Sequence, residues 1–419
     1  MTPLPIDGER LWSDLMTLGA LTEPERPYTR RAFSPQFDDG RAFLTRQLEA
    51  AGLVTRIDAA GNLIARLEGS DPKAGVIALG SHSDTVPRGG RFDGVAGVVA
   101  ALEVARTISQ GGERLRHTIE VIDCLAEEPT EFGLSCVGSR GLCGALDGAM
   151  LEMKDPRGQR LADAIRRVGG DPDHLAAAIR TDLRAFLELH IEQGPVLEEK
   201  AADIGVVTSI VGIRRLEIVF EGQAAHAGTA PMHLRRDAAV PAAACLLEIR
   251  RTADQLAAEG EAYFVATVGI IQAEPGGSNV VSRRARIVVD ARSSDPKVTD
   301  RFVDHIDRFS ALSAAEFRVE RTGFTILSDG VPAECDPKLR GALASAAQRL
   351  GLNAMDMASG AGHDAAFMAR ICPSAMVFVP CLRGMSHTPD EWATREAIAA
   401  GAAVMLEAVR RLDQDPTAR

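Results

Sequence analysis

The sequence predicts an α/β protein in which a mainly parallel sheet flanked by helices is interrupted by an inserted α+β domain. Three observations predict it. Strand-like and helix-like runs alternate in the first part of the chain, the texture changes near residues 205–215, and the first pattern returns after about residue 328. At 419 residues the chain also exceeds what one core comfortably supports.

In order, VIALGSHSD and HTIEVIDCLAEE each read as a short strand, and an apolar helical pattern over 95–108 lies between them. Strand, helix, strand at this spacing implies a parallel sheet with crossover helices. FLELHIEQG, 186–194, is a further alternating run that ends in polar residues. From GVVTSIVGIRR onward the runs become half-polar. RRLEIVFEGQ alternates, RRDAAVPAAACLLEIRRTADQL is helical, and YFVATVGIIQ and RARIVVDARSS follow. This β-α-β-β order suits a small α+β domain with one exposed sheet face. DPKLRGALASAAQRL then restores the helix and SAMVFVP a strongly apolar strand. The expected divisions are 1–210, 211–328 and 329–419, with no internal repeat and no low-complexity segment.

Composition narrows the function. Apolar residues at 46% and charged residues at 25% are ordinary for a globular protein. The balance of 47 basic against 58 acidic residues, net −11, argues against nucleic acid and against anionic membrane surfaces. It leaves room for a local basic pocket. MTPLPIDGERLW shows neither the basic nor the apolar region of a secretory signal, and the longest uncharged apolar run, GVAGVVAAL, is too short to span a bilayer. The cysteines, at 124, 136, 143, 245, 335, 372 and 381, are odd in number and lack C-x-x-C spacing. They read as reduced thiols of a cytoplasmic protein.

Four segments put imidazole or carboxylate just past the ends of predicted strands: His82 with Asp84 and Asp93, then Glu127 and Glu128, then His190, then His387. Ligands of open α/β sheets bind beyond the strand C-termini. Imidazole and carboxylate without thiolate suit Zn²⁺, Mn²⁺, Co²⁺ or Ni²⁺. So many ligands exceed one tetrahedral catalytic site and suit two metals sharing a carboxylate. Asp84, two residues after His82, could accept from the other ring nitrogen and fix its tautomer. Of the adjacent glutamates, one can ligate while its neighbour acts as general base. His363 and Asp364 read as loop-ordering residues, and His117, His174, His233 and His305 have no convergent context.

GSHSDTVPRGGRFDG, EEPTEFGLSCVGSRGL, LELHIEQGPVLEE, GQAAHAGTAPMHLRRDA, GGSNVVSRRARIVVDAR and SGAGHDAAFMARICPSAMVFVPCLRGMSHTP together resemble the M20 metallopeptidase clan. Within it they are similar to the amidase branch of N-carbamoyl-L-amino acid hydrolases, β-ureidopropionases and allantoate amidohydrolases. The resemblance runs from about residue 40 to 410, with the motifs in matching order. It implies an α/β catalytic domain, an inserted lid and dimerisation domain, and a homodimer formed through it. It also implies two divalent ions, one held by Asp93, Glu128 and His387 and the other by His82, Asp93 and His190. Asp93 would then bridge and Glu127 would be the base. His226 matches a histidine that reaches the partner's active site. Asn279 and Arg292 match a pair gripping a substrate carboxylate, while Gln193 and Gly360 match further substrate contacts.

The residues themselves agree in kind. Arg292 closes a predicted strand and offers a planar fork, Asn279 lies in a GGSN turn, and His226 sits among small residues that allow close approach. One departure stands out. Family members read Glu-Glu-Gly-x-Arg-Phe, whereas Pro129 and Glu131 stand here, removing an N–H and reversing a charge. The activity implied is hydrolysis of a linear amide or ureido C–N bond on a small carboxylated substrate, an N-carbamoyl-L-amino acid above all. An N-acyl-amino-acid amidase or a dipeptidase with the same metal core is the alternative within the enzyme class. A non-catalytic binding protein would need a broken ligand set, and the set is complete.

Overall fold

The protein is described by a computed structural model covering residues 5–414, so the first four residues of the N-terminal stretch considered above lie outside it. Its chain forms two compact units. The larger runs to Thr208 and resumes over Glu334–Met357 and from His363 onward; the smaller is Ser209–Ala333 with Ala358–Gly362.

In the larger unit the strands are β1 (Val54–Ile57), β2 (Leu63–Leu67), β3 (Val76–His82), β4 (Thr118–Cys124), β5 (Leu183–Ile191) and β6 (Ile204–Ile210). The chain then builds β7 (Gly212–Glu221), β8 (Ala225–His226), β9 (Phe264–Glu274), β10 (Val280–Val281), β11 (Arg284–Ser293) and β12 (Glu320–Asp329). It closes with β13 (Ala333–Glu334), β14 (Ala354–Ser359) and β15 (Ser374–Val379). The large sheet has the order β1-β2-β4-β3-β5-β15-β6-β13, with β14 also on β6. Its centre is parallel: β4 with β3, β3 with β5, and β5 with β15. Antiparallel pairs flank that centre.

The central strands are parallel because helices connect them and cover them, so β3, β4 and β15 are buried along their whole length. Pairing puts His82 opposite Cys124 and His190 opposite Phe378. The C-terminal ends of all four strands therefore open at one edge. Helix Val95–Gln110 is apolar nearly all round and almost wholly buried, as expected for a helix enclosed on every side. It comes very close to the sheet at Gly97, where a Cβ would fall 2.2 Å from the Leu189 carbonyl oxygen and 2.6 Å from Ser81 Cβ.

The smaller unit is a four-stranded antiparallel sheet, β12-β7-β11-β9, with helices Ala239–Glu259 and Pro296–Glu316 packed on it. β11 alternates half-buried and buried residues along its length, giving the one-sided core of Leu216, Ile218, Phe220, Ile287 and Phe302. The expected β-α-β-β order is extended here by a second helix and by β12. That strand lies at a sheet edge with most of its residues exposed or half-exposed, so it carries little of the period-two signal that marks a half-buried strand. All seven cysteines are free, and among the described residues no helix is long and apolar enough to cross a membrane.

Gly97 supplies a test of the helix–sheet contact. Alanine in a helix interior normally gains about 1 kcal/mol over glycine, but overpacking a fixed core costs about 1–3 kcal/mol. Gly97→Ala should therefore lower the urea midpoint; an unchanged or raised midpoint would show that the helix lifts at no cost.

Candidate metal centre

Asp93 lies at the centre of the strand-end edge, just before helix Val95–Gln110, and is only 3% exposed. Its two oxygens face different partners. Oδ1 is 3.1 Å from His190 Nε2 and 3.8 Å from His82 Nε2, while Oδ2 is 2.8 Å from His387 Nε2. Glu128 Oε1 stands 3.4 Å from the same His387 nitrogen. Two groups of possible ligands result, His82–Asp93–His190 and Asp93–Glu128–His387, with Asp93 common to both.

Each element places its side chain for a local reason. His82 ends β3 and His190 lies one residue from the end of β5. Their Nδ1 atoms lie 3.0 Å from the Asp84 carbonyl oxygen and 2.9 Å from that of Ile191. A carbonyl only accepts, so both rings carry a proton on Nδ1, and the neutral imidazole then has its lone pair on Nε2, which in His190 accepts from the Gly94 N–H at 3.1 Å. Gly94 makes room. It has φ of +66°, and a Cβ there would fall 2.3 Å from the His82 ring. The expected tautomer-fixing bond from His82 to the Asp84 carboxylate is thus made by the Asp84 carbonyl, with the carboxylate 3.5 Å away. That carboxylate accepts instead from the Glu127 and Glu128 backbone N–H groups, 3.2 Å each. It thereby fastens the loop that carries both glutamates.

The donor set fits divalent cations on two grounds. Each group brings imidazole nitrogens and carboxylate oxygens within 4.8 Å of one another, and Glu128 Oε1 and Gln193 Oε1 are buried without a hydrogen-bond partner. Electrostatics agree. Burial alone would raise Asp93, but the neighbouring imidazoles of His190 and His387 hold it well below the usual carboxylate range. Burial also opposes charge on His82, yet the surrounding carboxylates raise it well above an ordinary histidine. His387 is pushed up to about 10 by the carboxylates of Asp93, 2.8 Å away, and Glu128.

Glu127 belongs to neither ligand group. Its Oε2 is 3.7 Å from His82 Nε2, and its Oε1 lies 3.4 Å from Cys136 Sγ. Burial, with Glu128 and Asp364 adding repulsion against the pull of His82, raises it well above the usual carboxylate value. Gln193, in the left-handed region at φ +57°, donates from Nε2 to Asp93 Oδ2 at 2.9 Å.

The other expected site residues lie in the smaller unit. His226 is exposed, and its Nδ1 accepts from Gly228 N at 3.1 Å. Exposed Asn279 ties its loop to that one, its carbonyl accepting from Ala227 N. The Arg292 guanidinium donates to Asp290 and to the Gly360 carbonyl, at 2.7 and 2.9 Å. A side chain at Gly360 would meet the Tyr263 hydroxyl at 2.5 Å.

Several residues were not anticipated. Glu188, fully buried, accepts from Ser81 Oγ and forms a third possible ligand group with His190 and His363. It stands two residues before His190 on one strand, and period-two alternation puts both on one face. His363, read as a loop-ordering residue, is buried with its ring 4.6 Å from that of His190. Asp364 accepts from Ser139 and is pushed up to about 7 by burial and by Glu188. Of the histidines without convergent context, His117, His174 and His305 pair with Asp413, Asp171 and Glu248 and join none of the ligand groups. Glu131, at the departing motif position, pairs with Arg31 at 2.7 Å on the wall of a cavity of about 570 Å³ that Glu128 also lines.

The chain matches the model of peptidase family M20/M25/M40 over residues 78–411. It is 39% identical to an N-carbamoyl-L-amino-acid amidohydrolase of Paenarthrobacter aurescens, covering 99% of this chain and 100% of that one. It is 36% identical to a ureidoglycolate hydrolase of Oryza sativa subsp. japonica, covering 98% and 86%. An amidase of the hydantoinase/carbamoylase family from Burkholderia multivorans has a crystal structure of the same fold, with a TM-score of 0.90 and 35% identity over 98% of this chain and 99% of that one. With most of its length matched and full-length relatives above 30% identity, the chain belongs to peptidase family M20/M25/M40.

Proposed function

We propose that this hydrolase cleaves the linear ureido C–N bond of a small carboxylated substrate, an N-carbamoyl-L-amino acid or a related ureido acid. The observation that carries the proposal is Asp93, whose two oxygens face two separate ligand groups beside a buried glutamate that joins neither. In the proposed assignment His82, Asp93 and His190 hold one divalent cation and Asp93, Glu128 and His387 the other. The donor chemistry suits Zn²⁺ or Mn²⁺, with Co²⁺ or Ni²⁺ as alternatives. Cations held there would supply Lewis acidity toward the scissile carbonyl and toward water.

Glu127 is the proton shuttle in this reading. Its raised proton affinity suits a group that takes a proton from the attacking water and delivers it to the leaving nitrogen. The products of an N-carbamoyl substrate are the amino acid and carbamic acid, which breaks down to carbon dioxide and ammonia. Arg292, preorganised by Asp290 and Gly360, would grip the substrate carboxylate together with Asn279, and Gln193 would add a further polar contact. His226 would donate to the developing oxyanion from the partner of a homodimer built through the inserted unit. The negative net charge supports an enzyme without nucleic-acid or anionic-membrane partners, and its seven free cysteines support a cytoplasmic one.

The substrate class is tested in Mn²⁺ and Zn²⁺ by two readouts, ammonia release for ureido cleavage and free amino acid release for cleavage of any amide of an amino acid. N-carbamoyl-L-amino acids, ureidoglycolate and allantoate form one panel, N-acetyl-amino acids and dipeptides the other. Turnover confined to the first panel is expected; cleavage of only the second would make the chain an acyl-amino-acid amidase or dipeptidase.

The roles of Asp93 and Glu127 separate by metal analysis. Asp93→Ala should lose both ions. Glu127→Gln should keep both and lose about 10²–10⁴ in turnover, and a chelator should inactivate the wild type reversibly. A Glu127→Gln protein stripped of metal, beside a fully loaded Asp93→Ala, would reverse the assignment.

Sharing between subunits is tested by mixing. His226→Ala should cost roughly 10²–10³ in turnover, and mixed with Glu127→Gln it should regain activity, because one site of each heterodimer then has both groups intact. No recovery under proven subunit exchange would confine His226 to its own chain or remove it from the reaction.

A further inference from the structure

His387 differs from the two other histidines of the cluster in having no strand to hold it. It lies in an irregular stretch after β15, half-exposed, with φ of +56°. A non-glycine residue stays in that region only when its surroundings impose it. Helix packing and strand pairing cannot supply the restraint, so a side chain must.

Glu391, four residues on and fully buried, is that side chain. Its Oε1 accepts from the backbone N–H of Phe92 at 2.7 Å and of Asp93 at 3.2 Å. Its Oε2 accepts from Ser386 Oγ at 2.8 Å. The same Ser386 hydroxyl lies 3.3 Å from Asp93 Oδ2. One carboxylate therefore grips the main chain at Asp93 and the residue before His387, two segments almost 300 positions apart in sequence. Space is kept for it. At Gly90, with φ of +114°, a Cβ would fall 2.3 Å from Glu391 Oε1. The neighbouring Trp392 packs edge-on against Phe92 and Trp12, closing the clamp on its apolar side.

We propose that Glu391 is a positioning residue of the metal cluster, holding Asp93 and the loop-borne His387 at ligand spacing. This rests on the two-cation assignment proposed above. Its consequence is selective. The Asp93–Glu128–His387 group depends on Glu391, whereas the His82–Asp93–His190 group keeps its strand-borne histidines without it.

Mn²⁺ binding to the full chain, measured by equilibrium dialysis with elemental analysis, tests this without reference to turnover. The wild type should bind two ions. Glu391→Ala should weaken one of them by about 10–100-fold and leave the other within about threefold, the usual size of an outer-partner effect. Glu391→Gln should restore binding, because its amide oxygen can accept from Phe92 and Asp93 while its nitrogen donates to Ser386 Oγ. The proposal is overturned if Glu391→Ala binds both ions like the wild type, if it weakens both alike, or if Glu391→Gln is no better. Circular dichroism reports folding. Should Glu391→Ala fail to fold, Ser386→Ala carries the test, with the same single ion weakened; unchanged binding rejects the proposal. A wild type that binds no more than one ion rejects the two-cation assignment and this proposal with it.

Discussion

Concentrated, buried negative charge is the constraint on which the larger unit depends. Asp84, Asp93, Asp123, Glu127, Glu128, Glu188, Asp364 and Glu391 are all buried, most of them completely. Even after relaxation, burying one unpaired ion costs several kcal/mol, against a total stability of about 5–15 kcal/mol. The fold meets this with donors of three kinds. Backbone N–H groups serve Asp84 and Glu391, hydroxyls serve Asp123, Glu188 and Asp364, and guanidinium serves Asp123 through Arg41 at 3.0 Å. What remains falls to protons or cations. Glu127, Glu128 and Asp364 all have raised proton affinity with burial as the first cause, so cation uptake at the cluster competes with protons.

The α/β class was legible because its signals are local. Buried parallel strands read as apolar runs, and a helix of Val95–Gln110 type reads as apolar on every face. The strand-end rule then found His82, Glu127, Glu128 and His190, since each lies on its strand or follows it within a few residues, and with them Asp93, which lies farther past β3 and just before the next helix. Glu188 was equally within reach of period-two reasoning. Glu391 was not, because its partners are Phe92 and Asp93, and no local pattern links segments so far apart. His363 misled for a different reason. A histidine beside an aspartate in a glycine-rich stretch reads as a turn, and only tertiary packing puts its ring against His190.

The two units divide the labour unequally. Every proposed metal ligand belongs to the larger unit, where helices and strands restrain it, whereas His226, Asn279, Arg292 and Gly360 belong to the smaller. The contrast in burial follows: the ligands are mostly enclosed, while His226 and Asn279 are exposed. Enclosure strengthens the pull of the proposed ligands on a cation, and groups proposed to meet a substrate need access.

His82 and His190 both commit their Nδ1 proton to a main-chain carbonyl, that of residue 84 and that of residue 191. Any amino acid at those positions offers the same oxygen. The orientation of both imidazoles is thus insulated from side-chain exchange next to them, and it changes only if the backbone itself moves. Substitution can therefore explore the surface around the cluster, including Pro129 and Glu131, while the chemistry at its centre stays anchored to atoms that mutation does not remove.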